Sequence, residues 1–305
     1  MDRILVGVDG SPASTAAAVW AAGEAAMRDI ELTIVHVSAS SSDAATQTEW
    51  PARPLRDDVT NVAVAHGAEA IDNALDAINK ETDRQPPRIT CKLCIGPVVP
   101  TLWEFTQEGA RMIVLGRHGR GKTRLAALGA VTDEMLQTAR CPVTVVPHEP
   151  VSPTQANRAA VVVGVNTSPA SQLAIAIAFD EAAQRKTQLV AVHAVTPARQ
   201  STTSGSNAVS VDAEYVWAHA LADWQLRYPD IDVRRLVTRE DPVQALLNHS
   251  RNAQLVVVGG GRRRSSVANP FGAVSSAVAQ ACPIPVIVAR RKPSVCQPET
   301  IGESA

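Results

Sequence analysis

The chain reads twice. Val6-Gly7-Val8-Asp9-Gly10-Ser11-Pro12-Ala13-Ser14 returns as Val163-Gly164-Val165-Asn166-Thr167-Ser168-Pro169-Ala170-Ser171, and His36 returns as His193, both 157 residues later, as from Gly7 to Gly164. Ile113-Val114-Leu115-Gly116 returns as Val256-Val257-Val258-Gly259, now 143 residues later, as from Gly116 to Gly259. Two blocks in the same order, with one length change between them, indicate a duplicated domain. The copies then serve as controls for each other. A glycine or an acid kept in one and lost in the other reports on function.

At 305 residues the chain suits two domains of about 150, each large enough to bury a core. The boundaries read as 1–148 and 158–292, with a proline-containing linker over 149–157 and a tail over 293–305 that has no hydrophobic period. A formal charge of −1 gives no global field to recruit nucleic acid or a membrane. The basic clusters at 262–264 and 290–292 have no interleaved aromatic residues to stack bases. No apolar run is long enough to span a membrane. Five cysteines without a secretory signal lead to the expectation of a reducing cytoplasm. Cys91-Lys92-Leu93-Cys94 lies in a strand pattern, with both thiols expected on one side and no second ligand pair to complete a zinc site.

Each copy alternates apolar β-branched runs with longer alanine-rich stretches. Strands are predicted over 3–9, 31–37, 88–95, 111–116 and 142–146, and again over 160–166, 187–194, 231–237, 254–259 and 285–289. Helices are predicted over 13–29, 59–83, 98–109 and 130–139, and over 170–185, 210–228, 242–251 and 273–281. Continuous apolar strands between helices call for a parallel, doubly wound α/β sheet in each half. Residues 38–58 and 195–209, rich in Ser, Thr, Asp and Pro, read as loops.

In such sheets ligands bind beyond the carboxyl ends of the strands, where strand order reverses. Gly116-Arg117-His118-Gly119 follows the fourth strand, and Gly129-Ala130-Val131-Thr132 opens a helix after a nine-residue gap. Glycines let backbone N–H groups approach an anion, and the helix start adds free N–H groups and a positive dipole end. Taken alone, the same residues also fit a glycine turn and an ordinary helix start. Asp9 ends the first strand and can accept from a ribose hydroxyl or a base amino group. Asp-Gly-Ser-Pro is equally common turn chemistry. Val37, beside His36 at the end of the second strand, can offer main-chain groups to an adenine edge.

With Asp9 ahead of it, the spacing Gly-x2-Gly-x9-Gly resembles the ATP-binding branch of the universal stress protein family, and the likeness covers nearly the whole chain, once per half. The closing Cys141-Pro142-Val143-Thr144-Val145-Val146 strengthens the likeness. The resemblance implies five parallel strands per half, with fifth strands at 142–146 and 285–289 pairing across a pseudo-two-fold axis. It implies ATP, with or without Mg2+, as the ligand. Asp9 and Val37 would hold adenosine, and Gly116, Arg117, His118, Gly119, Gly129, Ala130, Val131 and Thr132 would hold phosphates. A weaker second site would comprise Asn166, Gly259, Gly272, Ala273 and Ser275. The expected partners are adenine nucleotide, a second copy of the chain, and a protein that the sequence does not identify.

The departures are specific. Ala130 and Ala273 stand where the family carries Ser or Thr, so a hydroxyl is missing from both halves and Thr132 is the candidate substitute. In the second copy Asn166 replaces the acid and Arg262 replaces the second loop glycine. The first half is therefore expected to be the better nucleotide site. Gly116–Thr123 also fits G-x4-G-K-T, a P-loop pattern with Lys122 for phosphate and Thr123 for Mg2+. It follows the fourth strand rather than the first, and the second copy lacks the Lys-Thr. No G-x-S-x-G elbow or metal-ligand spacing points to catalysis. The sequence leads to a nucleotide-dependent stress regulator rather than an enzyme. A scaffold that binds no nucleotide and a slow NTPase are the alternatives. Trp20, Trp103, Trp217 and Trp224 read as packing residues, and Trp50 as a loop contact.

Overall fold

The computed structural model describes residues 2–39, 46–49, 58–81, 87–119, 128–148, 159–195, 217, 220–260 and 272–290. The first half runs β1 (Arg3–Gly7), α1 (Pro12–Arg28), β2 (Glu31–Ser38), β3 (Thr46–Glu49), α2 (Asp58–Glu81), β4 (Ile89–Ile95), α3 (Val98–Gln107), β5 (Ala110–Gly116), α4 (Ala130–Thr138) and β6 (Val143–Val146). The second runs β7 (Ala160–Gly164), α5 (Pro169–Arg185), β8 (Leu189–Ala194), a helical stretch over 220–227, β9 (Val233–Thr238), α6 (Pro242–Ser250), β10 (Ala253–Gly259), α7 (Ala273–Ala281) and β11 (Val286–Ala289).

Local chemistry explains why the duplicated segments fold alike. α1 and α5 both start on a serine N-cap followed by proline, with Ser11 accepting from Ser14 N and Ser168 from Ser171 N. That side-chain acceptor satisfies an orphan N–H, and proline lacks the N–H that would be orphaned at the first helical position. Both helices end on a non-glycine residue in the left-handed region, Asp29 at φ 51° and Lys186 at φ 50°.

The described strands form one eleven-stranded sheet in the order β3-β4-β2-β1-β5-β6-β11-β10-β7-β8-β9. Each half contributes five parallel strands, as expected, and β6 pairs β11 antiparallel through Val143↔Val288 and Val145↔Val286. The fifth strands thus join the halves, and each gains the partner that an apolar edge needs. β3 was not anticipated. Its Thr-Gln-Thr-Glu sequence lies inside the stretch read as a loop, and it pairs antiparallel with β4 as an added edge.

Helices cover both sheet faces, and the core divides accordingly. One face packs Ile4, Val6, Leu32, Ile34 and Phe179 with α1, α2 and α5. The other packs Leu5, Ile113, Leu115, Val256 and Val258 with α3, α4, α6 and α7. Cys91 packs against the first cluster and Cys94 lies within the second. The thiols therefore face opposite sides of the sheet, which corrects the expectation that they share one. Strand side chains alternate, so positions three apart diverge. Burial pushes both thiols up to about 11, well away from a reactive thiolate.

Where α1 meets α5, a buried ion cluster crosses from one half to the other. Arg28 binds Glu24 at 2.5 Å and Glu181 at 2.6 Å, and Arg185 binds Glu24 and Glu181 in turn. Burial, then the neighbouring Glu181 carboxylate, push the Glu24 carboxyl up to about 7. Burial also works to raise Glu181, but Arg185 and Arg28 hold it below the usual carboxylate range. Trp103 donates to Thr138 O, Trp217 meets His193 edge-on, and Trp224 stacks with Phe179 and Tyr228. Trp50 lies outside the described residues. No helix among the described residues is long and apolar enough to cross a membrane.

Candidate functional site

Strand order reverses between β2 and β5, which flank β1 on either side. A cavity of about 720 Å3 opens beyond the carboxyl ends of these three strands. Asp9, Val37, Gly116, His118, Gly119, Gly129, Ala130, Val131 and Thr132 all line it, so nine of the ten residues named for the first half meet there.

The Asp9 carboxylate has two distinguishable oxygens. Oδ1 accepts from Ser11 N at 2.9 Å and closes the turn into α1. Oδ2 faces Gly119, where an added Cβ would overlap it. The turn thus engages Oδ1, and the approach to Gly119 falls on Oδ2. Gly116 serves another purpose. A Cβ there would come within 2.6 Å of the Ala13 carbonyl carbon and 2.9 Å of Ser14 N, so its absence lets β5 lie close against the start of α1. Gly259 repeats this against Ala170 at 2.7 Å.

Val37 has its own geometric logic. Val35 O accepts from Val8 N on the β1 side, and Ser38 O accepts from Gly96 N on the β4 side. Successive residues of a central parallel strand address alternate neighbours. The N–H and C=O of Val37 therefore point to the β1 side, beyond the last β1 rung and toward the cavity.

The far wall is the start of α4. Its N-cap, Gly129, offers no side-chain cap, so the first-turn N–H groups keep their capacity for an anion. Gly129 N donates to Arg117 O at 2.8 Å, which ties the two glycine segments together. Thr132 Oγ1 donates to Gly116 O at 2.8 Å. A hydroxyl has one proton, so in this arrangement Thr132 does not replace the hydroxyl missing at Ala130. Burial, then the nearby Arg117 charge, lower the His118 pKa, which favours neutral imidazole.

Arg117, expected beside the phosphates, is absent from the cavity wall. Its guanidinium crosses to the second half and donates to Cys282 O, just past α7. A further wall residue, Gln280, comes from the second half and was not foreseen. Contacts across the repeat junction leave no local sequence pattern. Lys122 and Thr123 of the P-loop pattern lie outside the described residues, and the helix following that loop starts at Ala130.

In the second half Asn166 Oδ1 accepts from Ser168 N at 2.8 Å, the same turn as at Asp9, but Asn166 is exposed. Gly260 N donates to Ala289 O as Arg117 N does to Val146 O, both at 2.8 Å. Gly272 caps α7 without a side-chain bond, Ala273 is exposed, and Ser275 Oγ donates to Gly272 O at 2.9 Å. Arg262 lies outside the described residues.

The universal stress protein family model matches residues 1–147 and 158–290. The chain is 40% identical over 292 residues to Universal stress protein Rv2005c of Mycobacterium tuberculosis, covering 94% of this chain and 97% of that one. A universal stress protein structure from Archaeoglobus fulgidus DSM 4304 superposes with a TM-score of 0.65 at 19% identity, covering 95% of this chain and 96% of its own. Another structure, of the universal stress protein from Archaeoglobus fulgidus in complex with dAMP, matches 43% of this chain and 98% of its own, at 18% identity and a TM-score of 0.34. With both halves matched in turn and joined through β6 and β11, the chain belongs to the universal stress protein family as a tandem, two-domain member.

Proposed function

We propose that the first half binds an adenine nucleotide, with ATP the favoured ligand, and that the protein acts as a nucleotide-dependent stress regulator. The observation that carries the reading is the convergence of the Asp9 carboxylate, the Val37 main chain and the uncapped start of α4 on one cavity. Val37 would meet the adenine edge, and Asp9 Oδ2 a ribose hydroxyl or the base amino group. The N–H groups of Ala130, Val131 and Thr132 would take phosphate oxygens in the positive field of the helix start. Mg2+ takes one or two carboxylates along with phosphate oxygens and water, and Asp9 and Asp133 are the carboxylates on the wall. Binding would act by changing the surface presented to a protein partner. Hydrolysis, if any, would be slow. A second copy of the chain is the proposed further partner.

The test is to denature the purified protein, identify any released nucleotide by mass spectrometry, and titrate stripped protein with ATP. About one adenine nucleotide per chain is the expected stoichiometry. A stripped protein that takes up no adenine nucleotide at millimolar concentration would refute the reading and favour the scaffold alternative.

A further inference from the structure

We infer that Gln280, on the second half, completes the ligand site of the first half and biases it toward a phosphorylated nucleotide over the bare nucleoside. The inference rests on the nucleotide reading above. Among the described residues on the cavity wall, Gln280 is the one contributed from across the junction. Its place in the cavity follows from its neighbours. Two residues further on, Cys282 O receives the guanidinium of Arg117, and Arg117 lies between Gly116 and His118 in the phosphate-side loop. That bond sets the end of α7 beside the phosphate-side loop, and we assign Gln280 to that end of the cavity.

The carboxamide suits that place. A primary amide has two N–H donors. Gln280 Nε2 donates one to Ser276 Oγ at 3.1 Å, which fixes the side chain along α7 and leaves the second for a ligand oxygen. An uncharged donor there would make up for the hydroxyl that Ala130 lacks. The equivalent residue of the first half, Gln137, makes the same contact one turn back, its amide donating to Asp133 Oδ2 at 3.0 Å.

Arg117 is then a positioning residue. It is half-buried and its Nε has no hydrogen-bond partner, so its orientation rests on the Cys282 carbonyl that its other nitrogen engages. Through that bond the phosphate-side loop of one half is fixed to the end of the helix that carries Gln280 in the other. Neither the family spacing nor either repeat alone contains this arrangement.

The experiment titrates the full chain, stripped of nucleotide, with ATP and with adenosine by calorimetry. In Gln280→Glu a carboxylate faces the phosphates, and ATP affinity is expected to fall by about tenfold or more while adenosine affinity stays within about twofold. Gln280→Ala, which only removes the donor, is expected to cost ATP about threefold to tenfold with the same sparing of adenosine. Arg117→Ala should lower the ATP-to-adenosine preference in the same direction although it touches no ligand. Equal losses for ATP and adenosine, or unchanged ATP affinity in both Gln280 variants, would overturn the inference and leave nucleotide binding standing. A wild-type chain that binds neither ligand would overturn both.

Discussion

At residues 9 and 166 the chain builds the same turn with different side chains. Asp9 Oδ1 accepts from Ser11 N at 2.9 Å and Asn166 Oδ1 from Ser168 N at 2.8 Å. Asp9 N donates to Ser14 Oγ at 3.2 Å, and Asn166 N to Ser171 Oγ at 2.9 Å. The turn is therefore indifferent to charge, and the acid in the first half needs another reason to be there. Its second oxygen faces Gly119, a loop glycine whose counterpart is an arginine, Arg262. Acid and glycine are present together in one half and absent together from the other. Gly116 and Gly259, by contrast, both lie against a helix backbone and are kept in both. Comparing the halves separates the glycines of packing from a glycine of the proposed site.

The strongest way to break this separation is to fill the packing glycines. Gly116→Ala and Gly259→Ala each push a methyl into helix backbone and should each lower stability by about 3 kcal/mol in urea denaturation. A large cost in one half and none in the other would contradict the equivalence.

A smaller effect is expected at the ion cluster. The Glu24 carboxyl, held near pH 7 in the folded protein, keeps a proton that the unfolded chain has lost above about pH 4.5. In that window the folded state binds more protons, so this group makes stability fall as pH rises from about 4.5 to 7, by on the order of 2 kcal/mol. Glu24→Gln should abolish that fall. Glu181, held low, contributes in the opposite sense, with stability lost as pH drops below the usual carboxylate range, and Glu181→Gln should flatten the acid limb instead. Identical pH profiles for the two variants would show that the cluster does not distinguish the halves.

Asp9→Asn gives the first half the side chain of the second. The turn should survive with stability changed by less than about 0.5 kcal/mol, while ATP affinity falls by about tenfold, or 1.4 kcal/mol, in a calorimetric titration. A thermal transition that moves with no change in affinity would return Asp9 to a turn residue. Smallest of all, Asp29→Gly and Lys186→Gly should each stabilise by about 0.5–1 kcal/mol, because each replaces a side chain held at positive φ. Unequal gains would mean that the two helix ends differ in their surroundings.

Much of this architecture was legible from the repeat and from apolar runs such as Met112–Leu115, since strands buried on both faces must be continuously apolar. β3 was hidden because an added edge strand needs no hydrophobic alternation, and Thr-Gln-Thr-Glu has none. The two thiols were misplaced because the strand reading was not carried through to its parity, which separates positions 91 and 94. Nine of the named first-half site residues fall on one cavity because strand ends and helix starts converge there by topology. Arg117 and Gln280 were opaque for the opposite reason. Their roles depend on the second half, and spacing within one repeat carries no information about what faces it across the junction.

The ion cluster has a symmetry worth following to its consequence. Arg28 reaches Glu181 as Arg185 reaches Glu24, and β6 lies antiparallel to β11, so these contacts have mates under exchange of the halves. This is an isologous interface of the kind that two identical chains make. In such a dimer every substitution appears twice, and a change that spoils one ligand site spoils both. Tethering converts association into an intramolecular event, with an effective concentration that does not fall on dilution. One side can then drift while the other keeps its chemistry, because assembly no longer requires the partners to be the same.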